Sequence, residues 1–158
     1  MSEMIQELSR QDPAASARAA IRTEQMPVSE LGQGLLEEFG RSGVRFASSD
    51  PALTQRYARA LAKLATCVLP SPEGRPMLIE GGAYQGCWLE STGTINNELL
   101  SRFCPNLATE TFRLFARHAR TDGLIPYKIL AGGPAWRQIQ MVTPLALSLI
   151  HISQGIVR

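Results

Sequence analysis

The densest concentration of residues suited to chemistry is EGGAYQGCWLESTGT, Glu80 to Thr94, where glycines alternate with two aromatics and two carboxylates. Glycine lets a backbone approach a ligand without a Cβ in the way, and Tyr84 and Trp88 offer flat apolar faces with a polar tip. Glu90, ionised, only accepts hydrogen bonds. A pyranose ring makes matching demands, since its C–H patches stack on aromatic rings and its hydroxyls donate to carboxylates. The same composition also describes a buried glycine turn with Trp88 filling a core and Glu90 as a paired structural acid. A second candidate is GGPAWRQIQMVTPLA, where Trp136, Arg137 and Gln138 supply stacking and hydrogen bonding beside a glycine turn. A solvated helix start leading to buried Ile139, Met141 and Val142 explains that stretch as well.

Other chemistries have less to stand on. Cys67, Cys87 and Cys104 are odd in number and widely spaced, which argues against a disulfide framework and for a reducing, cytoplasmic setting. They lack the short ligand spacings of a metal site, with only His118 and His151 to supplement them, so no metal and no cofactor is expected. The formal charge is +2, from 16 basic and 14 acidic residues without a basic run to neutralise a row of phosphates, so nucleic acid is a poor partner. No apolar run approaches the ~20 residues that cross a bilayer, and MSEMIQELSR lacks the pattern of a secretory leader, so no membrane partner is expected. Hydrophobic residues at 44% and charged residues at 19% give a composition apolar enough to fold around a core.

The elements that must position these residues read as helices. Ala14 to Ile21 is alanine-rich and closed by Pro27, and Ser29 caps a helix with Leu31, Leu35, Leu36 and Phe39 on one face and Gly40 as its left-handed stop. Val44 and Phe46 suggest a short extended segment. Asp50-Pro51 opens a helix whose stripe is Leu53, Tyr57, Leu61, Leu64, Ala65 and Val68, with Gln55, Arg56, Arg59 and Lys63 on its polar face. Pro70, Pro72, Gly74 and Pro76 form a loop before the apolar run Met77 to Ile79. Thr94 caps a helix carrying Ile95, Leu99, Leu100 and Phe103. Pro105 restarts the chain into a helix through Leu107, Thr111, Leu114, Phe115 and His118, which TDGLIPYK ends. Long helix, loop, long helix, loop predicts an all-α fold of antiparallel helical hairpins.

From Leu147 to Ile152 the chain reads LSLIHI, similar to the translation of a transposon end sequence used in preparing sequencing libraries. Residues 147–158 are therefore expected to be a non-native tail, leaving residues 1–43 as an N-terminal helical or linker segment and 44–146 as the main domain. The other reading is a genuine amphipathic tail.

The succession SSDPALTQRYARALAKL, a glycine-aromatic segment ending in WLES, the helix NNELLSRF and then ARTDGLIPYK resembles the six-hairpin glycosidases. These (α/α)6 toroids include bacterial α-L-rhamnosidases, trehalases and glucoamylase-like glucosidases. The resemblance covers roughly residues 45–146 and implies hydrolysis of α-linked sugars by two carboxyl groups, commonly with inversion, which needs them about 6.5–9.5 Å apart. It aligns Trp88 and Glu90 with the segment lining the glycone subsite, although Glu90 stands where Asp is usual and Leu89 where arginine often is. Asp122 matches the acid of the DG-x-IP loop, while serving equally as the cap of a turn with Gly123. Pro126 shapes that loop, and Tyr127 and Lys128 border the cleft. The resemblance places the general acid and base on later hairpins, so Glu90 is expected to bind and not to catalyse.

The expectation is therefore an N-terminal, incomplete domain of a glycoside hydrolase, an enzyme piece inactive alone, with carbohydrate as substrate and partner, and with uncovered helix faces prone to self-association. The alternatives are a small non-enzymatic helical interaction protein and a sugar-binding module built on the same loop.

Overall fold

The computed structural model describes residues 12–46, 48–81 and 84–136. The chain divides into two compact units, Met1–Thr66 and Cys67–Arg158. The first is helical. Helix α1, Pro13–Glu24, starts where Asp12 Oδ1 accepts from the Ala14 amide at 3.0 Å and proline fills a position that needs no donor. It ends at Gln25, which adopts the left-handed conformation (φ 50°). Helix α2, Glu30–Arg41, is capped by Ser29 Oγ, which accepts from the Gly32 amide at 3.1 Å. Helix α3, Pro51–Thr66, begins with Asp50 Oδ1 accepting from the Ala52 amide at 2.8 Å. Each such cap stabilises by about 1 kcal/mol.

Packing among the three helices uses small residues. A Cβ at Gly32 would come within 2.2 Å of the Ala65 carbonyl oxygen, so glycine is what lets α2 approach the α3 backbone. Ala14, Ala17, Leu35, Leu36, Phe39, Ala62 and Ala65 are buried there. Three local expectations are corrected. Helix α2 runs through Gly40 to Arg41, and the left-handed residue is Gly43 (φ 75°). Leu53 is 46% exposed and outside the stripe, whose buried members are Ala58, Leu61, Ala62 and Ala65. The segment from Val44 to Phe46 pairs with no strand, and Phe46 instead stacks on Tyr57 with ring centroids 4.3 Å apart.

The second unit overturns the all-α expectation. Its described residues are mixed α/β, with two small antiparallel sheets, and not the all-α run of helical hairpins expected for part of an (α/α)6 toroid. Strands β1 (Val68–Pro70) and β2 (Pro76–Leu78) pair as a hairpin in the register Val68↔Leu78. The proline-rich loop is its turn: Ser71 donates its amide to the Arg75 carbonyl at 2.7 Å, and Ser71 Oγ accepts from the amides of Glu73 and Arg75. Val68, expected on the last turn of a helix, thus belongs to β1.

Strand β3 (Gly86–Trp88) runs directly into α4 (Leu89–Ile95), which widens into a π-helical turn at Asn96–Leu100 and closes with α5 (Ser101–Phe103). Thr94 lies inside this helix, its hydroxyl donating back to the Glu90 carbonyl at 3.0 Å, so it caps nothing. Pro105 starts α6, Pro105–Arg117, as expected. Strands β4 (Lys128–Leu130) and β5 (Gly133–Ala135) complete a sheet of order β3-β4-β5. The core joins Met77, Ile79, Cys87, Leu89, Leu114, Phe115 and Ile129, all buried, between α6 and the strands. Helical periodicity could not reveal five strands of three residues each, because a three-residue strand shows barely one period of alternation. No helix among the described residues is long and apolar enough to cross a membrane.

Candidate functional site

The site is built on the outer face of the three-stranded sheet. Alternation along β3 sends Cys87 to the core, opposite Ile129, and Trp88 to the other side, opposite Lys128. Gly86 shares that outer face with Leu130 and Gly133, and Ala135 lies opposite Lys128 on its second flank. The absence of a side chain at Gly86 is used. A Cβ there would lie 2.7 Å from Trp88 Cζ3 and 2.7 Å from Leu130 Cδ2, so the indole rests across the glycine, against the leucine. Laid down in this way, Trp88 is half-buried.

Two further groups frame the indole. Tyr84 meets it edge-on, with centroids 5.8 Å apart and planes at 85°, and is itself 61% exposed. Such a pair contributes about 0.5–1.5 kcal/mol beyond buried area. Lys128 Nζ sits 4.6 Å from the Trp88 centroid and 5.4 Å from that of Tyr127, a cation over two rings. Tyr84 is held by a tight turn in which its amide donates to the Gly81 carbonyl at 3.0 Å, with Gly81 at φ 94°. The Glu80 amide donates to the Gly86 carbonyl at 3.1 Å, closing the base of the turn, and its carboxylate accepts from the Ser91 hydroxyl. What the sequence presented as one loop is therefore a turn, a strand and the first turn of a helix.

The expected site residues are distributed unevenly. Tyr84 and Trp88 are brought together. Glu90 is exposed in the first turn of α4, two residues from Trp88. Asp122 lies in the turn after α6, where Oδ1 accepts from the Leu124 amide at 3.2 Å and Oδ2 from Arg120 at 2.5 Å. The Leu124 amide, with Arg120 beside it, holds the Asp122 carboxyl below its ordinary range. Trp136 follows β5 and is 40% exposed. Arg137 and Gln138 lie outside the described residues, as does the tail from residue 147. Of Tyr127 and Lys128, which the resemblance placed at a cleft border, Lys128 lies opposite Trp88 through strand pairing, and the Tyr127 carbonyl accepts from the Leu89 amide at 2.9 Å. Gly86 as the seat of the indole and Glu80 as a clamp on Ser91 were not foreseen. The interval of two between Gly86 and Trp88 was the available signal, since residues two apart share a face of a strand.

Comparison with family models, with curated proteins and with solved structures returns no match for this chain.

Elsewhere the chemistry is sparse. The described cysteines form no disulfide, and burial pushes the Cys87 thiol up to about 12, an inert form. A groove of ≈ 570 Å³ in the first unit, between α1 and α3, is walled mainly by small side chains such as Ser16, Ala20, Thr54 and Ala58. Its charged lining residues, Glu24 and Arg59, pair with each other at 2.5 Å. That groove offers shape without a reactive group.

Proposed function

We propose that the outer face of the β3-β4-β5 sheet is a saccharide-binding surface, with Trp88 as the stacking platform. The observation that carries this reading is the indole laid across Gly86 and flanked edge-on by the exposed Tyr84. A sugar ring gains most from a flat aromatic face whose orientation is already paid for by packing, because the platform then loses little freedom on binding. Tyr84 OH, Glu90 and the Lys128 ammonium supply hydroxyl partners around it.

The reading stops at binding. A general acid of a glycosidase needs a raised pKa, and Asp122 is exposed with its carboxyl lowered, while the Glu80 carboxylate is occupied by Ser91. The resemblance to glycosidases contributes the ligand class to this proposal and not the reaction.

Tryptophan fluorescence and NMR titration of the whole chain against an oligosaccharide panel test it. One platform with few hydrogen bonds should bind in the roughly millimolar range, near −4 kcal/mol. Trp88→Ala, with its fold verified by circular dichroism, should weaken binding about tenfold or more. Unchanged affinity in that variant, or no perturbation of Trp88 by any saccharide, rejects the proposal. Turnover of aryl glycosides by the purified chain would replace it with a hydrolase.

A further inference from the structure

Lys128 is placed unlike the other described basic residues. It stands directly opposite Trp88 in the β3–β4 ladder, and its other neighbour across the sheet is Ala135, so neither flank supplies a negative charge. Its ammonium is instead held over Trp88 at 4.6 Å and Tyr127 at 5.4 Å, and it makes no ion pair among the described residues. Glu80, the acid at the base of the adjoining turn, is already taken by Ser91. Among the other described basic side chains of this unit, Arg117 and His118 reach Glu73, Arg75 and Arg113 reach Glu110, and Arg120 reaches Asp122, while Arg102 makes no ion pair but has no aromatic ring beneath it either.

An aromatic face attracts a cation weakly and leaves its charge uncompensated, so the electrostatic demand of Lys128 is met from outside the chain. Lys128 is a half-buried residue with its ammonium held over the rings, whereas Lys63 stands exposed on a helix face. The position also fixes the reach. With Nζ 4.6 Å from the ring centroid, a charged group carried by a ligand at the indole comes within reach of the ammonium.

From this juxtaposition we infer that the surface selects anionic saccharides, with Lys128 binding a carboxylate or sulfate carried by the ring that stacks on Trp88. The inference rests on the saccharide-binding reading above and names its ligand class. It gives Lys128 the selecting role and Trp88 the affinity common to neutral and charged rings.

The test compares three probes of equal length on the whole protein: a galacturonate oligomer for carboxylate, a sulfated carrageenan oligomer for sulfate, and a neutral maltooligosaccharide. At low salt one or both anionic probes should bind about fivefold tighter than the neutral one. Raising ionic strength from about 0.01 M to 1 M, which shortens the screening length from about 30 Å to 3 Å, should erase most of that ratio. The ratio should approach one in Lys128→Gln and persist in Lys128→Arg, which keeps the charge over the rings. Equal wild-type affinity for charged and neutral probes overturns the selectivity while leaving saccharide binding in place. A preference that survives in folded Lys128→Gln also overturns it. Absence of binding by all three probes removes both readings together. The carboxylate and sulfate arms separate the two sources of negative charge.

Discussion

Cys87 and Trp88 are consecutive residues of β3, yet the thiol is wholly buried while the indole is half-exposed on the opposite side of the sheet. The inner face, with Cys87 and Ile129, packs on Leu114 and Phe115 of α6 and carries stability. The outer face, with Gly86, Trp88, Lys128 and Leu130, holds a platform and an unpaired cation and contributes less to the core. A sheet only three residues deep thus gives the core one side and, in the proposed function, gives recognition the other, by the alternation of side chains alone. Substitutions on the two faces should therefore separate stability from binding.

The largest effect belongs to the inner face. Phe115 is completely buried within the cluster of Met77, Leu89 and Ile129, so Phe115→Ala should destabilise by about 3–5 kcal/mol through lost burial and the cavity left behind. Against a total of about 5–15 kcal/mol, that is a large share, and binding would be lost only because the unit unfolds. Urea denaturation followed by far-UV circular dichroism measures it. A loss below about 1 kcal/mol would show that this cluster is not what supports the sheet.

Cys87 gives the inner face a pH signature. Burial, with a smaller contribution from the Glu80 carboxylate, pushes its thiol from the ordinary value of about 9 up to about 12, against the lowering effect of the Thr92 hydroxyl. In the unfolded chain the thiol ionises from about pH 9, whereas in the folded chain it stays neutral until about pH 12. The unfolded state therefore binds fewer protons in that window, and stability falls as pH rises through it. Stability tied to Cys87 is fully present below pH 9, and its loss approaches on the order of 4 kcal/mol at the alkaline end. Cys87→Ala should show a shallower decline between pH 9 and 12 than the wild type in parallel urea titrations. Coincident slopes would mean that the thiol is hydrated in the folded chain.

How much of this was legible in the sequence follows the distance over which each element is specified. Ser29 and Asp50-Pro51 cap helices through hydrogen bonds to amides two or three residues on, and these local signals read correctly. Pro105 restarting α6 is of the same kind. The β3-β4-β5 sheet joins Gly86 to Leu130, residues far apart in the chain, through strands too brief to show alternation, so these stretches read as loops between helices. The site divides likewise. Tyr84 and Trp88 stood out by residue type, but the neighbour that gives the platform its charge, Lys128, is set beside them by strand register. Asp122, singled out by the resemblance, accepts from the Leu124 amide within its own turn.

The smallest of these effects falls on the outer face and probes the seat of the indole. Gly86→Val introduces a branched side chain whose Cβ meets Trp88 Cζ3 at 2.7 Å, Leu130 Cδ2 at 2.7 Å and Trp88 Cε3 at 3.2 Å. The end of Leu130 can rotate aside. The indole is broad and rigid, so it must lift from the sheet. No left-handed backbone is required at Gly86, and valine suits a strand, so overpacking should dominate at about 1–3 kcal/mol, less than the cavity at Phe115. In a Trp136→Phe background, where the indole of Trp88 is the remaining reporter, its emission should shift to the red and its quenching by acrylamide rise. Saccharide affinity should fall by more than the stability change explains, because the platform moves while the inner face stays packed. If valine lowers stability with the Trp88 emission unchanged, the glycine is filling a structural gap and the two faces of the sheet are not separable in the way their exposure suggests.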